Sequence, residues 1–208
     1  YYKASATAPC LRVVYATAAA DTAQTIGLRF SNVRVPAGAE ITTATLEFVS
    51  ASDTGDAAAF TIFGEAANDS AEFTTASSNL TGRSTTSNTV SWVPNPWKLN
   101  ETHSTVDNSA DLKDVIQEIT NRTGWCGGQS LSLFVRGSGT RYARAADNSA
   151  ALAPKLKLTY DPATIPSGRG CMSTDLSYRI PPTQTSDDGI CCTSNKNVLT
   201  DQSLILGM

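Results

Sequence analysis

The chain is poor in the residues that carry most metal and acid–base chemistry near neutral pH. It holds one histidine, His103, and two methionines among 208 residues. A single imidazole argues against a histidine-built metal finger and removes the commonest general acid–base group from most positions. Charge is scarce as well: 17% of residues are Asp, Glu, Lys or Arg, and the net charge is −3. Lys and Arg are scattered, with no basic stripe to track a phosphate backbone, so nucleic acid is not an expected partner. No apolar run approaches the roughly 18 residues that a membrane helix needs, so no membrane span is expected. Residues from Tyr1 onward do not read as a signal peptide, and Tyr1 fits a mature N-terminus left by cleavage.

What is abundant is Ser and Thr, about a quarter of the chain, which gives the solvated, weakly charged surface common among secreted β-proteins. Five cysteines are present: Cys10, Cys126, Cys171, Cys191 and Cys192. They lack zinc-ligand spacing, so disulfides in an oxidising compartment are expected, and with them an extracellular, secreted or cell-surface location. The odd count leaves one thiol free or bonded to another chain. Cys191 and Cys192 are adjacent and are expected to take separate partners. A bridge from Cys171 to Cys10 or Cys126 would tie the tail to the body and contribute roughly 2–4 kcal/mol.

The dominant period along the chain is two. Leu11–Tyr15, Thr25–Phe30, Ile41–Phe48, Ala59–Gly64, Val90–Val93, Ser130–Arg136 and Pro154–Tyr160 all read as strands, with turn residues between them. Ala44, Leu46 and Phe48 share one face; Leu131, Leu133, Val135, Leu156 and Leu158 point inward. Residues 65–90 read as a long loop with a short helical piece. One segment breaks the period: in Ser109–Gly124, Leu112, Val115, Ile116 and Ile119 fall at helical spacing. Ser109 is the expected N-cap, Asp111 lies in the first turn and Gly124 is the stop. The fold class is all-β: a jelly-roll β-sandwich with one short amphipathic helix plugging an open end, and an extended C-terminal tail.

Several ordered segments carry a family resemblance. These are Thr25–Phe48, Trp92–Trp97, Asp111–Trp125 and Gly127–Gly139, and over residues 11–160 they resemble the DNRLRE-type domain of secreted bacterial proteins. The resemblance implies a jelly roll. Some members of that family are carbohydrate-binding modules for acidic polysaccharides such as alginate, and others are accessory domains of large surface proteins. The family domain opens with a further strand, upstream of the segment matching Leu11–Tyr15. Residues 1–10 are a weak candidate for it.

The chain thus divides into an N-terminal segment (1–10), a jelly-roll domain (11–160) and a Cys- and Pro-containing extension (161–208). The extension has too little apolar content to fold alone. It ends in a strand-like segment whose donor residues would be Val198, Leu199, Leu204, Ile205 and Leu206. A missing strand leaves a sheet edge that templates pairing with another segment, and ladder bonds plus side-chain pockets stabilise such insertion. Pro162, Pro166, Pro181 and Pro182 keep the connection extended, at about 3.1 Å per residue. Inserted into a neighbour, the strand makes a head-to-tail contact that does not close and builds a filament, with the chain itself as partner. Packed within its own subunit, it completes a secreted carbohydrate-binding module. The filament is the preferred expectation.

The module reading, with glycans as partners, looks to Arg136, Arg141, Tyr142 and Arg144 in an exposed loop, while Trp92, Trp97 and Trp125 are expected in the core. No cofactor is expected. Asp53, Asp56 and Asp147 are weak calcium candidates through oxygen, since Asp in a turn has an ordinary explanation. The chain is not expected to be an enzyme. His103 is expected in a solvent-exposed loop among Ser104 and Asp107, and adjacent loop residues rarely hold triad geometry. Asn68, Asn79, Asn100 and Asn121 fit the N-glycosylation acceptor pattern, and Thr183 and Thr185 follow two prolines in a segment suited to O-linked sugars.

Overall fold

The computed structural model describes residues 24–74, 76–144, 150–166 and 203–206. The expected strand at Leu11–Tyr15 and the segment 1–10 lie outside them, as do most of the extension and, within it, Thr183 and Thr185.

Two four-stranded antiparallel sheets face each other. The strands are β1 (Gln24–Val33), β2 (Glu40–Val49), β3 (Ala59–Glu65), β4 (Thr85–Trp92), β5 (Thr102–Ser104), β6 (Gln129–Ser138), β7 (Lys155–Asp161) and β8 (Ser203–Leu206). One sheet has the order β1-β6-β3-β4 and the other β5-β2-β7-β8. The pairs nest: β4 with β3, β5 with β2, β6 with β1, β7 with β8. Such nesting is the rolled-up double hairpin of a jelly roll, here with β8, the last described strand of the chain, in the place of the first strand and β7 in the place of the last. The all-β sandwich expected from the period of two is the fold observed.

Alternation explains the interior. Ala44 and Leu46 of β2 stand opposite Leu158 and Leu156 of β7 across the ladder, Phe48 shares their strand face, and all five are buried. From the opposite sheet Leu28, Ile62, Leu131, Leu133 and Val135 complete the apolar layer. β6 departs from alternation, because Ser130, Ser132 and Phe134 on its other face are buried too. The cover there is the 66–84 loop, whose Phe73 ring lies 6.2 Å from that of Phe134. Among its described residues this loop makes turns and no helix, where a short helical piece was expected. The strand expected at Val90–Val93 is the end of the longer β4.

Helix α1 (Lys113–Thr120) is shorter than its apolar spacing suggests. Ser109 adopts a left-handed conformation (φ 59°) that closes the preceding 3-10 turn, so it does not cap α1. The N-cap position of α1 is Leu112, which makes no side-chain cap bond; Asp111 before it accepts the Lys113 N–H at 3.0 Å and the Ala44 N–H at 2.9 Å. Val115, Ile116 and Ile119 are fully buried, and the helix touches β2 of one sheet and β3 and β4 of the other. It ends at Asn121, before Gly124. The helix closes one end of the sandwich.

Candidate functional site

The feature that bears on function is the outer edge of β7. Lys155–Asp161 alternates half-buried and buried along its length. One edge pairs with β2 and the other with β8, in the register Leu156↔Leu206, Lys157↔Ile205, Leu158↔Leu204 and Thr159↔Ser203. Leu204, Ile205 and Leu206 are therefore in the sheet, and two of them stand opposite buried leucines. Val198 and Leu199 lie outside the described residues. The neighbouring ladder is braced on its polar side, where the Lys157 ammonium lies 2.5 Å from the Glu47 carboxylate and Thr159 shares hydroxyl bonds with Thr42 and Thr43. Antiparallel neighbours need only a two- to five-residue hairpin. β8 instead arrives after the whole stretch Pro162–Gln202.

The other end of the sandwich holds an aromatic stack. Trp92 lies 5.6 Å from Phe48 with the rings near parallel, and Trp97 packs beside both. His103 is not in a loop: it lies on β5, paired opposite Phe48, and its ring stacks on Trp97 at 4.8 Å and 3°. Burial there holds its pKa below the usual 6.5, against the pull of Glu101 and Asp107. Asp107 caps the turn through the Ser104 N–H at 2.8 Å, so these neighbours are occupied in local structure.

The proposed sugar-binding residues separate. Trp92, Trp97 and Trp125 are 2% exposed or less, and the Trp125 indole N–H donates to the Val35 carbonyl at 2.8 Å. Arg141 is not in an exposed loop but buried at 3%, with burial lowering its pKa. Its guanidinium donates to the carbonyls of Pro94, Asn95, Asp56 and Thr140 at 2.7–3.1 Å. It knits three loops and has no face left for a ligand. Arg136 is exposed, Tyr142 and Arg144 are half-buried, and Arg144 donates to Asn100 at 2.7 Å.

Asp53 accepts the Leu99 N–H at 2.8 Å and the Lys98 ammonium at 3.1 Å, which together hold its carboxyl below the usual range. It is a loop clasp. Asp56 contributes its carbonyl to Arg141, and Asp147 lies outside the described residues. Among the described residues no group of three His, Cys, Asp or Glu is placed to hold a metal ion, and no helix is long and apolar enough to cross a membrane. Cys126 is half-buried between α1 and β6, and Cys10, Cys171, Cys191 and Cys192 lie outside the described residues.

Three side chains that sequence reasoning did not single out organise the surface. Arg83 pins the 66–84 loop by a 2.8 Å ion pair to Glu65 and hydrogen bonds to the Ala71 and Glu72 carbonyls. Glu118 ties α1 to β4 by accepting the N–H groups of Ser87 and Asn88 at 2.7 and 2.8 Å. Gln117 ties α1 to β2 through the Ile41 N–H and the Ala39 carbonyl. The signal available was a polar residue at a fixed helical position beside an apolar stripe, which alone says nothing of its partner.

No family model, no curated protein and no solved structure matches the chain. The resemblance to DNRLRE-type domains rests on its motifs alone.

Proposed function

We propose that this chain is a structural subunit of an extracellular filament, in which subunits join head-to-tail by exchanging the C-terminal strand. The observation that carries the reading is the mismatch between β7 and β8. They are hydrogen-bonded neighbours, yet the connection between them is the longest in the described fold. A chain that only needed to finish its own sheet would do so with a hairpin. A long connection lets the same strand complete the sheet of a second copy, with every ladder bond kept. In the isolated chain β8 closes its own sheet, so exchange replaces one set of bonds by an equal set and adds the contacts between bodies.

Support also comes from what the alternative lacks. A carbohydrate-binding module works through exposed aromatic faces, and the three tryptophans and Arg141 are interior. Disulfides among the five cysteines, formed in an oxidising compartment, would fit a subunit that must survive outside the cell.

The test is electron microscopy of the purified, non-reduced protein beside a chain lacking residues 197–208. Regular filaments from the intact chain and dispersed particles from the truncated one are expected. A separately added peptide of residues 197–208 should rescue the truncated chain's stability without restoring filaments. Monodisperse intact protein, or truncated protein that polymerises as before, overturns the reading.

A further inference from the structure

Four acceptor sequences for N-linked sugar are spread over the described surface, and their geometry differs. At Asn68 the amide nitrogen packs against the backbone of Gly124, and Arg122 donates to the amide oxygen at 2.9 Å. The hydroxyl of that acceptor sequence, Ser70, is buried and bonded to Glu65 and Ser132. At Asn79 the half-buried amide oxygen takes the Thr74 N–H at 2.8 Å and faces Arg83, inside the loop that Arg83 organises. A sugar at either nitrogen would have to open packed structure.

Asn121 is arranged otherwise. It is exposed at the C-terminal end of α1, followed by exposed Thr123. Its amide oxygen accepts from Gln117 at 3.1 Å, and Gln117 is itself fixed by the Ile41 N–H and the Ala39 carbonyl. This turns the amide nitrogen away from the helix. Beside it lies an open depression of about 400 Å³, lined by Asn88, Asp114, Gln117, Glu118, Asn121 and Arg122. Its lining of carboxylates, amides and a guanidinium offers donors and acceptors for the hydroxyls and acetamido group of one sugar ring. Asn100 is exposed and also has its oxygen engaged, by Arg144, so its nitrogen is open too, but no depression adjoins it among the cavities described.

We propose that Asn121 is an N-glycosylation site whose first sugar lies in the depression along α1. The donor is a lipid-diphosphate-linked oligosaccharide. The Asn121 amide nitrogen attacks its anomeric carbon, forming the C–N bond as the bond from that carbon to the phosphate oxygen breaks. The lipid diphosphate leaves with the electron pair, and the amide proton passes to the transferase's base. A sugar added before folding must still be accommodated afterwards, so the folded surface decides which sites tolerate it. The inference rests on the extracellular part of the reading above, not on strand exchange.

The experiment is glycopeptide mapping by mass spectrometry of the full chain secreted from a host with N-glycosylation. Asn121 should be occupied, with Asn68 and Asn79 bare, and Thr123→Ala should abolish the modification while leaving Asn121 in place. Proton–proton contacts from the first sugar to α1 should be visible by NMR, and should weaken in Asp114→Ala without loss of occupancy. A bare Asn121, or occupancy at Asn68 or Asn79, overturns the proposal. Filament formation is a separate readout, so failure here and failure of the assembly reading are distinguishable.

Discussion

Arg83 stands over Phe73, its guanidinium carbon 4.6 Å from the ring centroid, while the same group holds Glu65 at 2.8 Å. One cation thus fastens the 66–84 loop to β3 on one side and presses Phe73 onto the sheet on the other. The Arg83 and Glu65 side chains are 9% and 12% exposed, so water screens the pair little. Replacing one member of such a pair strands the other, at a cost of about 3 kcal/mol. Arg83→Met should lower stability by about that amount in urea denaturation. Glu65→Gln should cost less, because its amide still accepts from Ser70 and Arg83.

Gly27 lies beneath the Phe73 ring. A Cβ there would meet Phe73 Cζ at 2.6 Å and Leu80 Cδ2 at 3.0 Å. Gly27→Ala should therefore push the loop off the sheet and destabilise by about 1–3 kcal/mol. In a Phe73→Ala background the clash is gone, so the same substitution should cost far less. A double-mutant cycle by chemical denaturation reads the difference. Equal costs in both backgrounds would refute the clash as the cause.

Strand positions were legible wherever one face is buried and the other wet, as at Ala44, Leu46 and Phe48. β6 was legible as a strand but not as a doubly covered one. Nothing in Ser130, Ser132 and Phe134 announces that Phe73, some sixty residues earlier, lies on top of them. The start of α1 was misjudged because Ser109 is a good N-cap by type, and only the left-handed backbone there makes it the end of the preceding turn, with α1 beginning after Leu112. β5 is three residues long, too short for a period, so the strand position of His103 was invisible. Arg141 misleads for a physical reason: a guanidinium normally stays wet, and only four converging carbonyls make its burial tolerable. The sequence also marked the terminal strand by its apolar run, whereas its partner, β7, is a long-range fact.

His103 gives the fold a dependence on pH. Its folded-state pKa lies below 6.5, chiefly because burial against Trp97 disfavours the charged ring. Between that value and 6.5 the unfolded chain binds more protons than the folded one, so stability rises with pH across the window. It is fully present above 6.5 and is lost as pH falls through the folded value. Thermal melts from pH 7.5 downward should show this loss beginning near 6.5. In His103→Phe, which keeps an aromatic ring on Trp97 and cannot titrate, the slope in that window should flatten. An unchanged slope would assign the dependence to other groups.

Glu118 gives an opposite ionisation with the same sign. Burial pushes its carboxyl up, but the Asn88 and Ser87 N–H groups and the Asn88 amide outweigh that and bring it below the usual range. Its stabilisation is present above the unfolded value and lost as pH falls through the folded one, so the loss sets in at lower pH than the onset of the His103 effect. The two onsets should differ, since Glu118→Gln would leave the loss that begins near 6.5 in place. Glu118→Gln also removes the charge from the bonds holding α1 to β4, so hydrogen exchange should quicken at Ser87 and Asn88.

Arg141 separates a structural role from a binding role for its loop. Its four carbonyl partners come from Asp56, Pro94, Asn95 and Thr140, in loops that the Thr54–Trp97 backbone bridge and the Asp53 clasp also join. Arg141→Met keeps the stem but orphans these acceptors in a poorly hydrated site, at a cost of about 3 kcal/mol. Arg141→Lys should recover only part of this, because an ammonium reaches fewer divergent carbonyls than a planar fork. Arg136 is exposed, so Arg136→Ala should leave stability within about 0.5 kcal/mol of the parent. Denaturation of the three variants under one condition decides it. A neutral Arg141→Met would show that the loops hold without the guanidinium and would return Arg141 to the pool of ligand-binding candidates.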